Sequence, residues 1–154
     1  GDDFYGTPTA RAKAERLMAN AIYPKFKEAL LKGLSNVDLT SGTIKVTLID
    51  TADYTYSTAH DFYDDVPVAA RVATGTLANP TVSAAGVFDA DDLRLTGVSG
   101  DTCEALIIWK DTGSEATSRL VFYQDSVGSG LPITPNGGSV LLEWDSGANK
   151  IFAL

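Results

Sequence analysis

The sequence predicts a mainly β protein, an antiparallel β-sandwich (jelly-roll-like or barrel-like) of about seven to nine strands with an N-terminal helical segment. Three observations predict this fold class. Short β-rich runs separated by turn sequences fill the C-terminal part of the chain. Apolar and polar residues alternate over Thr43–Asp50, which is typical of a half-buried strand. Apolar residues instead recur at helical spacing in the first 33 residues.

The C-terminal runs are rich in the β-branched and aromatic residues that strands favour. They are Cys103–Lys110, Ser118–Gln124, Ser139–Trp144 and Lys150–Leu154, and residues such as Gly, Pro, Asn and Asp separate them. This punctuation is typical of antiparallel strands joined by short turns. We expect the last run to pair into a sheet.

The N-terminal segment carries helix start and stop signals. Thr7 can cap a helix, and Pro8 suits the first helical position because its missing N–H would have no partner there. Pro24 interrupts the pattern, Pro24–Leu31 resumes it, and Gly33 is a natural C-cap. The apolar residues before the interruption are Ala10, Ala14, Leu17, Met18 and Ala21 or Ile22.

The middle of the chain changes pattern several times. Ser57–Val66 predicts a short helical turn that stops before a proline. Ala69–Leu77 and Pro80–Phe88 predict two strands that pair with each other, and Asp91–Val98 alternates as a further strand. We therefore expect a helical arm over residues 1–33, with residues 24–32 packed on the domain, and a β-sandwich domain over residues 34–154.

Composition excludes several classes of protein. The hydrophobic content of 44% is that of a folded chain, and the apolar runs are too short to span a bilayer. The sequence has no charged segment followed by an apolar one, so it shows no secretory signal. Cys103 is the single cysteine, which excludes an internal disulfide and a cysteine-based zinc site.

Charge is divided unevenly along the chain. Residues 1–33 hold six basic and four acidic side chains, a net charge of +2, so the total of −8 leaves −10 for the remaining residues. An acidic β-domain repels nucleic acid, so we expect no nucleic-acid partner. The basic helical segment suits an acidic surface, although a solvated helix face is the commoner reason for such a pattern.

Catalytic candidates are few. His60 is the only histidine, and a hydrolase triad would have to combine it with Asp61, Asp64 or Asp65. No nucleophile elbow and no phosphate-binding loop is present, and a lone histidine more often makes a structural hydrogen bond. We therefore expect a protein without enzymatic activity and without a cofactor.

Two kinds of binding site remain candidates. The carboxylates of Asp89, Asp91 and Asp92 are weak candidate metal ligands, since Ca²⁺ takes several oxygens, but their spacing does not follow an EF-hand loop and suits a strand-starting turn. Tyr54 and Tyr56 lie in a polar stretch and are candidate glycan contacts, as an exposed aromatic patch. The alternative for aromatic residues in strands is core packing, which we expect of both tryptophans.

Four segments suggest a family. Ala19–Gly33 (ANAIYPKFKEALLKG), Ile44–Pro67 (IKVTLIDTADYTYSTAHDFYDDVP), Gly130–Gly138 (GLPITPNGG) and Trp144–Leu154 (WDSGANKIFAL) resemble a family of small virion structural proteins of tailed bacteriophages. The resemblance covers Met18–Leu154. In the family pattern the protein begins at the equivalent of Met18, so residues 1–17 would be an upstream extension, either a native arm or an added segment.

The resemblance implies a non-enzymatic component of a phage particle, a capsid decoration or a head-fibre-like part. Its partners would be other virion proteins, namely the major capsid protein or neighbouring copies in a homo-oligomer, with no nucleic acid and no membrane. It would reside in the virion after assembly in the host bacterial cytoplasm. The alternative is a tail or fibre module that recognises host-surface glycan. The candidate partner-binding residues are Arg11, Lys13, Arg16, Leu17 and Met18.

Overall fold

A computed structural model describes residues 20–125 and 130–154. The strands are β1 (Ala21–Ile22), β2 (Thr43–Ile49), β3 (Arg71–Thr76), β4 (Thr81–Val82), β5 (Val87–Asp89), β6 (Leu93–Leu95), β7 (Ala105–Asp111), β8 (Leu120–Gln124), β9 (Val140–Leu142) and β10 (Phe152–Ala153). One helix, α1, spans Pro24–Lys32, and two 3₁₀ turns span Tyr63–Asp65 and Val68–Ala70. The predicted mainly β class is confirmed.

The strands form three antiparallel sheets. The largest has five strands in the order β1–β8–β7–β2–β3, a second has the order β10–β5–β4, and the third pairs β6 with β9. The ten described strands exceed the predicted seven to nine, because six of them have only two or three residues. No helix in the described part of the chain is long and apolar enough to cross a membrane.

The two central strands of the large sheet are buried on both faces. All residues of β7 from Ala105 to Lys110 are buried, and β2 is buried without interruption from Val46 to its end. The strands pair in register over seven residues, from Thr43 opposite Asp111 to Ile49 opposite Ala105. Such near-continuous burial makes this pair the centre of the core.

A polar group lies in the middle of this core. The Thr47 side chain is fully buried, and its hydroxyl accepts a hydrogen bond of 2.9 Å from the Trp109 indole N–H. The same hydroxyl lies 3.0 Å from the Tyr63 hydroxyl and 2.9 Å from that of Thr74. The rings of Tyr63 and Trp109 stack at 3.7 Å. This network ties β2, β3 and β7 to the 3₁₀ turn, and it satisfies groups that would be costly to bury alone.

Helix α1 follows the sequence signals closely. Pro24 occupies its first turn, and Gly33 ends it in the left-handed conformation at φ 64°, with its N–H directed to the carbonyls of Ala29 and Leu30. Phe26 and Ala29 are buried. The predicted helix and its C-cap are confirmed. The helix predicted from Thr7 lies outside the described residues.

Two pairings differ from the predictions. Ala21 and Ile22 form β1, opposite Tyr123 and Phe122 of β8, and are not helical. The open edge of β8 offers backbone partners there, and Pro24 prevents a continuous helix. Ala69–Leu77 and Pro80–Phe88 were predicted to pair with each other, and this is wrong. β3 pairs with β2, whereas Thr81–Val82 forms a hairpin with β5.

Trp109 and Trp144 were both predicted to be core residues, and the structure separates them. Trp109 is 5% exposed in β7 and lies in the core cluster. Trp144 lies beyond the end of β9 and is only half-buried, with its indole N–H donating to the Asp91 carbonyl at 3.0 Å. The core prediction for Trp144 is wrong: the strand ends at Leu142, and Trp144 packs against the core cluster without being enclosed in it.

We predict that Trp109→Ala lowers the free energy of unfolding by about 3–5 kcal/mol, since it removes a buried ring and leaves the Thr47 hydroxyl without its donor. Trp144→Ala is the matched control and should lower it much less. Urea denaturation of both variants measures the difference. Equal losses would show that both rings belong to one core.

Candidate functional site

The longest family-like motif folds into a cover over one face of the large sheet. Residues 50–67, which we name the covering loop, follow β2 and include the 3₁₀ turn at Tyr63–Asp65. Tyr54, Tyr63 and Val66 of this loop are buried. The chemistry-bearing residues of the motif are therefore part of the packing of the sheet.

A cluster of four tyrosines fixes one end of the covering loop. The hydroxyls of Tyr23 and Tyr54 lie 2.8 Å apart. The ring of Tyr56 lies 5.2 Å from that of Tyr23 and 5.1 Å from that of Tyr123, measured between centroids. The cluster thus joins the covering loop to the residue before α1 and to β8.

Tyr54 and Tyr56, the candidate glycan contacts, do not form the exposed patch that this role requires, and the alternative of packing applies to them. Tyr54 is 4% exposed and Tyr56 is half-buried. Their neighbours in sequence are polar, but Tyr23 and Tyr123 come from distant parts of the chain to pack against them. These two side chains consequently form no exposed aromatic platform for glycan.

His60 belongs to the same cluster. Its Nδ1 lies 2.8 Å from the Tyr54 hydroxyl, and the two rings pack at 5.3 Å. In a hydrolase triad a carboxylate would hold this nitrogen. The nearby Asp61 carboxylate pairs with Arg119 at 3.3 Å, and the Asp65 carboxylate accepts from the backbone N–H groups of Asp61 and Phe62. These contacts give His60 a structural partner.

Two arginines hold the other end of the covering loop. Arg71 donates to the carbonyls of Tyr63 and Val66, and its guanidinium lies 4.0 Å from the centroid of the Tyr63 ring. Glu115 binds the same guanidinium through both carboxylate oxygens. Arg119, which is 7% exposed, donates to Ser35 O at 2.8 Å. Cations that are paired and hydrogen-bonded in this way can be buried at low cost.

Burial changes the ionisation of the tyrosine cluster. Burial raises the pKa of Tyr54 to about 12, although its hydrogen bond with Tyr23 acts in the opposite direction. The pKa of Tyr23 is raised well above its ordinary value, by burial first and by Tyr54 second. Burial also raises the pKa of Tyr123, with a further contribution from the Asp125 charge, and that of Tyr56. The four tyrosine side chains are therefore neutral at physiological pH.

The three candidate metal ligands Asp89, Asp91 and Asp92 do not converge. Asp89 lies in β5. The Asp91 carboxylate accepts from the Asn79 side chain at 2.6 Å, and the Asp92 carboxylate accepts from the Trp144 backbone N–H at 2.9 Å. The last two residues hold turns together, as the strand-starting interpretation predicts.

A different acidic group forms where β2 ends and β7 begins. Carboxylate oxygens of Asp50, Asp53 and Asp101 lie within 4.8 Å of one another, and Asp50 is buried. The Asp50 carboxylate accepts from the Ala52 N–H, so it also shapes the turn. Sequence reasoning missed this group, although antiparallel pairing of the two flanking strands would have brought it together. Exposed acidic groups like this are common without an ion.

A polar groove opens between β9 and the C-terminal residues. Its volume is about 670 Å³. Its described lining includes apolar side chains such as Leu106 and Ile133 as well as the half-buried indole of Trp144 and the polar side chains of Gln124, Asn149 and Lys150. An indole with amide and charged groups in the same groove can stack on a sugar ring while those groups hydrogen-bond its hydroxyls. The sequence predicts this tryptophan in the core, so the groove is not among the predicted sites.

An apolar groove opens on the other side of the C-terminal residues. Its volume is about 320 Å³. Phe26 and Leu30 of α1 form one wall, Phe88 and Phe152 form the floor with Leu39, and the rest of the lining is Val37, Asp38, Thr40, Val82, Gly86 and Leu154. Phe152 also contacts Phe122 of the large sheet, with ring centroids 5.1 Å apart. The floor of the groove is thus continuous with the core.

A buried lysine fixes the wall that follows α1. Lys110 of β7 is 8% exposed, and its ammonium donates to the carbonyls of Asp38 and Ser41. The Asp38 carboxylate accepts from Thr40 and from the Ser41 hydroxyl, and these bonds lower its pKa to about 2. The groove is therefore preformed, with a charged carboxylate at its rim.

Exposed apolar side chains lie in the lining of this groove and at the end of α1, the helix that contributes to its lining. Six large apolar residues in the described ranges are exposed, and four of them line the groove or lie at the end of α1: Leu31, Leu34, Val82 and Leu154. Leu31 is 91% exposed. We call the groove and these four residues the apolar face.

The candidate partner-binding residues Arg11, Lys13, Arg16, Leu17 and Met18 lie outside the described residues. Comparison with known proteins assigns no relative: no family model matches this chain, and no curated protein matches it. The geometry of the two grooves and the motif resemblance are therefore the basis of a functional assignment.

We predict that the free energy of unfolding falls as the pH rises above about 10. Unfolded tyrosines release their protons near that pH, whereas Tyr54 keeps its proton to about 12, so the neutral cluster stabilises the fold below pH 10 and loses that contribution as the pH rises. The shift of Tyr54 alone corresponds to about 2–3 kcal/mol. Urea denaturation across this range, with Tyr54→Phe as the comparison, measures it. A profile of Tyr54→Phe as steep as that of the parent chain would contradict the assignment.

Proposed function

We propose that this chain is a non-enzymatic structural subunit of a tailed-phage particle, which decorates the capsid or is attached to it through multivalent protein–protein contacts. The observation that carries the proposal is the apolar face. Exposed apolar patches with polar rims mark interaction surfaces, because an isolated protein gains nothing from exposing them. A subunit of a particle buries such a face in every copy.

The motif resemblance supplies the context of a phage particle. Its longest segment forms β2 and the covering loop, where His60 and Asp61 contact Tyr54 and Arg119. These contacts use the polar residues of the motif to hold the fold together. That use agrees with a structural role better than with turnover of a substrate.

A β-sandwich is the finer fold that we propose for the domain. The two smaller sheets would form the layer opposite the large one. Two contacts support this: Phe152 of β10 packs on Phe122 of β8, and the space where a side chain of Gly75 would stand is filled by Leu93 and Leu95 of β6. A glycine at this point lets two layers approach closely.

The proposed partners are the major capsid protein or neighbouring copies of this chain in a homo-oligomer. The acidic β-domain disfavours nucleic acid. The N-terminal arm, with Arg11, Lys13, Arg16, Leu17 and Met18, would dock on a neighbour, and the protein would be found in the virion after assembly in the host cytoplasm. The docking part of the arm would end before Ala21, because Ala21 pairs with Tyr123 of the same chain.

We predict that deletion of residues 1–17 leaves the melting temperature of the isolated protein within about 2 °C of the full chain, while reducing its incorporation into particles. The test is to purify particles assembled with either form and to compare copy number by cryo-EM reconstruction and quantitative protein gels. Absence of the full chain from purified particles would overturn the proposed function. Unfolding of the deleted form would instead place the segment in the core of its own domain.

One observation favours a second function, recognition of a host-surface glycan. Trp144 offers a half-buried indole in the polar groove, beside Asp145, Asn149 and Lys150. A sugar that stacks on an indole ring also needs polar groups nearby for its hydroxyls, and this groove contains both. Tyr54 and Tyr56 do not contribute, because they are packed inside.

For this second function we expect glycan-array binding by the full chain that is lost in Trp144→Ala, which removes the ring on which a sugar would stack. Tyr56→Phe, remote from the groove lining, is the control and should bind as the parent chain does. Binding that survives Trp144→Ala would exclude the polar groove as the glycan site.

A further inference from the structure

One carboxylate oxygen of Asp125 is buried without a partner. Asp125 follows β8, and its Oδ1 is the one buried side-chain oxygen or nitrogen of residues 20–125 and 130–154 that has no hydrogen-bond partner. Burial raises the pKa of this carboxyl, although its hydrogen bond with Tyr123 acts in the opposite direction. Buried polar atoms of native proteins are almost always paired. A donor for this oxygen is therefore to be sought beyond the described residues.

The N-terminal arm joins the domain beside this oxygen. Asn20 is the first described residue, and its side-chain oxygen accepts a hydrogen bond of 3.0 Å from the Asp125 backbone N–H. Arg16 precedes Asn20 by four residues, which span at most about 14 Å when extended and about 6 Å in a helix. Arg16 is thus the basic residue of the arm that lies nearest to Asp125 along the chain, and its long side chain can reach the carboxylate from either conformation.

The surface around Asp125 is acidic. Carboxylates gather where β2 and β8 end and β7 begins, because Ile49 lies opposite Ala105 and Gln124 lies opposite Leu106. We call this group the acidic end of the sheet: Asp50, Asp53, Asp101, Glu104 and Asp125. None of the ion pairs among the described residues involves these carboxylates.

The arm carries the complementary charge. Three of the four charged side chains between residues 10 and 19 are basic, namely Arg11, Lys13 and Arg16. Lys13 and Arg16 are three residues apart, so the helix that the sequence predicts here would place them on one side. A basic segment that is tethered beside an acidic surface is drawn to it, and the short tether gives it an effective concentration that a separate copy of the protein does not reach.

We infer that the N-terminal arm folds back onto the domain from which it emerges, with the Arg16 guanidinium bound to the Asp125 carboxylate and Lys13 facing the rest of the acidic end. A guanidinium suits this role because its fork of N–H donors can satisfy a half-buried carboxylate. The contact is intramolecular and goes beyond the proposed function. An arm that lies on its own domain is withheld from a neighbouring copy, so the ion pair restrains docking while the chain is free.

The test is trypsin cleavage of the arm in the full chain, followed by mass spectrometry. Trypsin cuts after Arg11 and Lys13, and a segment that is held on a domain is cut more slowly than a free one. Asp125→Asn removes the charge and keeps the shape, so it should raise the rate of both cuts by about threefold, and added salt should do the same to the parent chain. The rates should not depend on protein concentration.

A second variant changes only the arm. Arg16→Gln should raise the rate of the cuts after Arg11 and Lys13 by the same factor as Asp125→Asn, and the two substitutions together should add nothing further, since both remove one interaction. Asp64→Asn is the matched control. Asp64 is exposed in the 3₁₀ turn whose Tyr63 N–H binds Ser118 O, beside the opposite end of β8, so this variant should be cut like the parent chain.

Four results overturn the inference. Equal cleavage rates in the parent chain and Asp125→Asn would assign the unpaired oxygen to residues 126–129. Additive effects of the two substitutions would show that they do not act on one ion pair. Protection that grows with protein concentration would place the arm on a neighbouring copy, and protection that a chelator removes would assign the acidic end to a divalent cation. None of these results affects the proposed structural role, which incorporation into particles tests separately.

Discussion

Burial of β2 and β7 on both faces is the constraint on which the rest of the structure depends. A strand pair covered on both sides has no water to satisfy its polar side chains, so each of them must reach a partner within the protein. Thr47 meets this requirement with Trp109 and Tyr63, which brings the covering loop onto one face. Lys110 meets it with the carbonyls of Asp38 and Ser41, which fixes the loop after α1. One requirement thus positions two surfaces on opposite sides of the sheet.

The two surfaces have different roles because their residues are used differently. The covering loop directs its tyrosines inwards, where Arg71 and Arg119 close the remaining polar contacts. Its buried tyrosines, His60 and the carboxylates of Asp61 and Asp65 therefore already have hydrogen-bond partners within the protein. The apolar groove is the reverse case: its floor is core, but Val82 and Leu154 of its lining remain exposed. A surface that is rigid, apolar and uncovered is suited to binding a partner, since little conformational freedom is lost when it is occupied.

The sequence predicted those elements whose signals are local. The runs that became β7 and β8 are continuous and β-branched, and α1 has a proline at its start and a glycine at its end. It failed where partners are distant in the chain. The two residues of β1 form a strand because the edge of β8 offers them backbone partners. The pairing of β3 with β2 likewise depends on the arrangement of the whole sheet. The burial of Tyr54, the Asp50 group and both grooves likewise arise from segments that only the folded topology brings together.

The reactivity of Cys103 with a thiol reagent can measure how cooperatively the chain unfolds. This residue is the single cysteine, it is fully shielded just before β7, and burial followed by the charges of Glu104, Asp50 and Asp101 raises the pKa of its thiol to about 11. A thiol reagent can therefore modify it only through molecules in which the start of β7 has opened. The labelling rate under native conditions consequently reports the free energy of that opening. An opening free energy well below that of global unfolding indicates local fraying at the bridge between Cys103 and Ile133, whereas an equal value indicates loss of the whole central sheet.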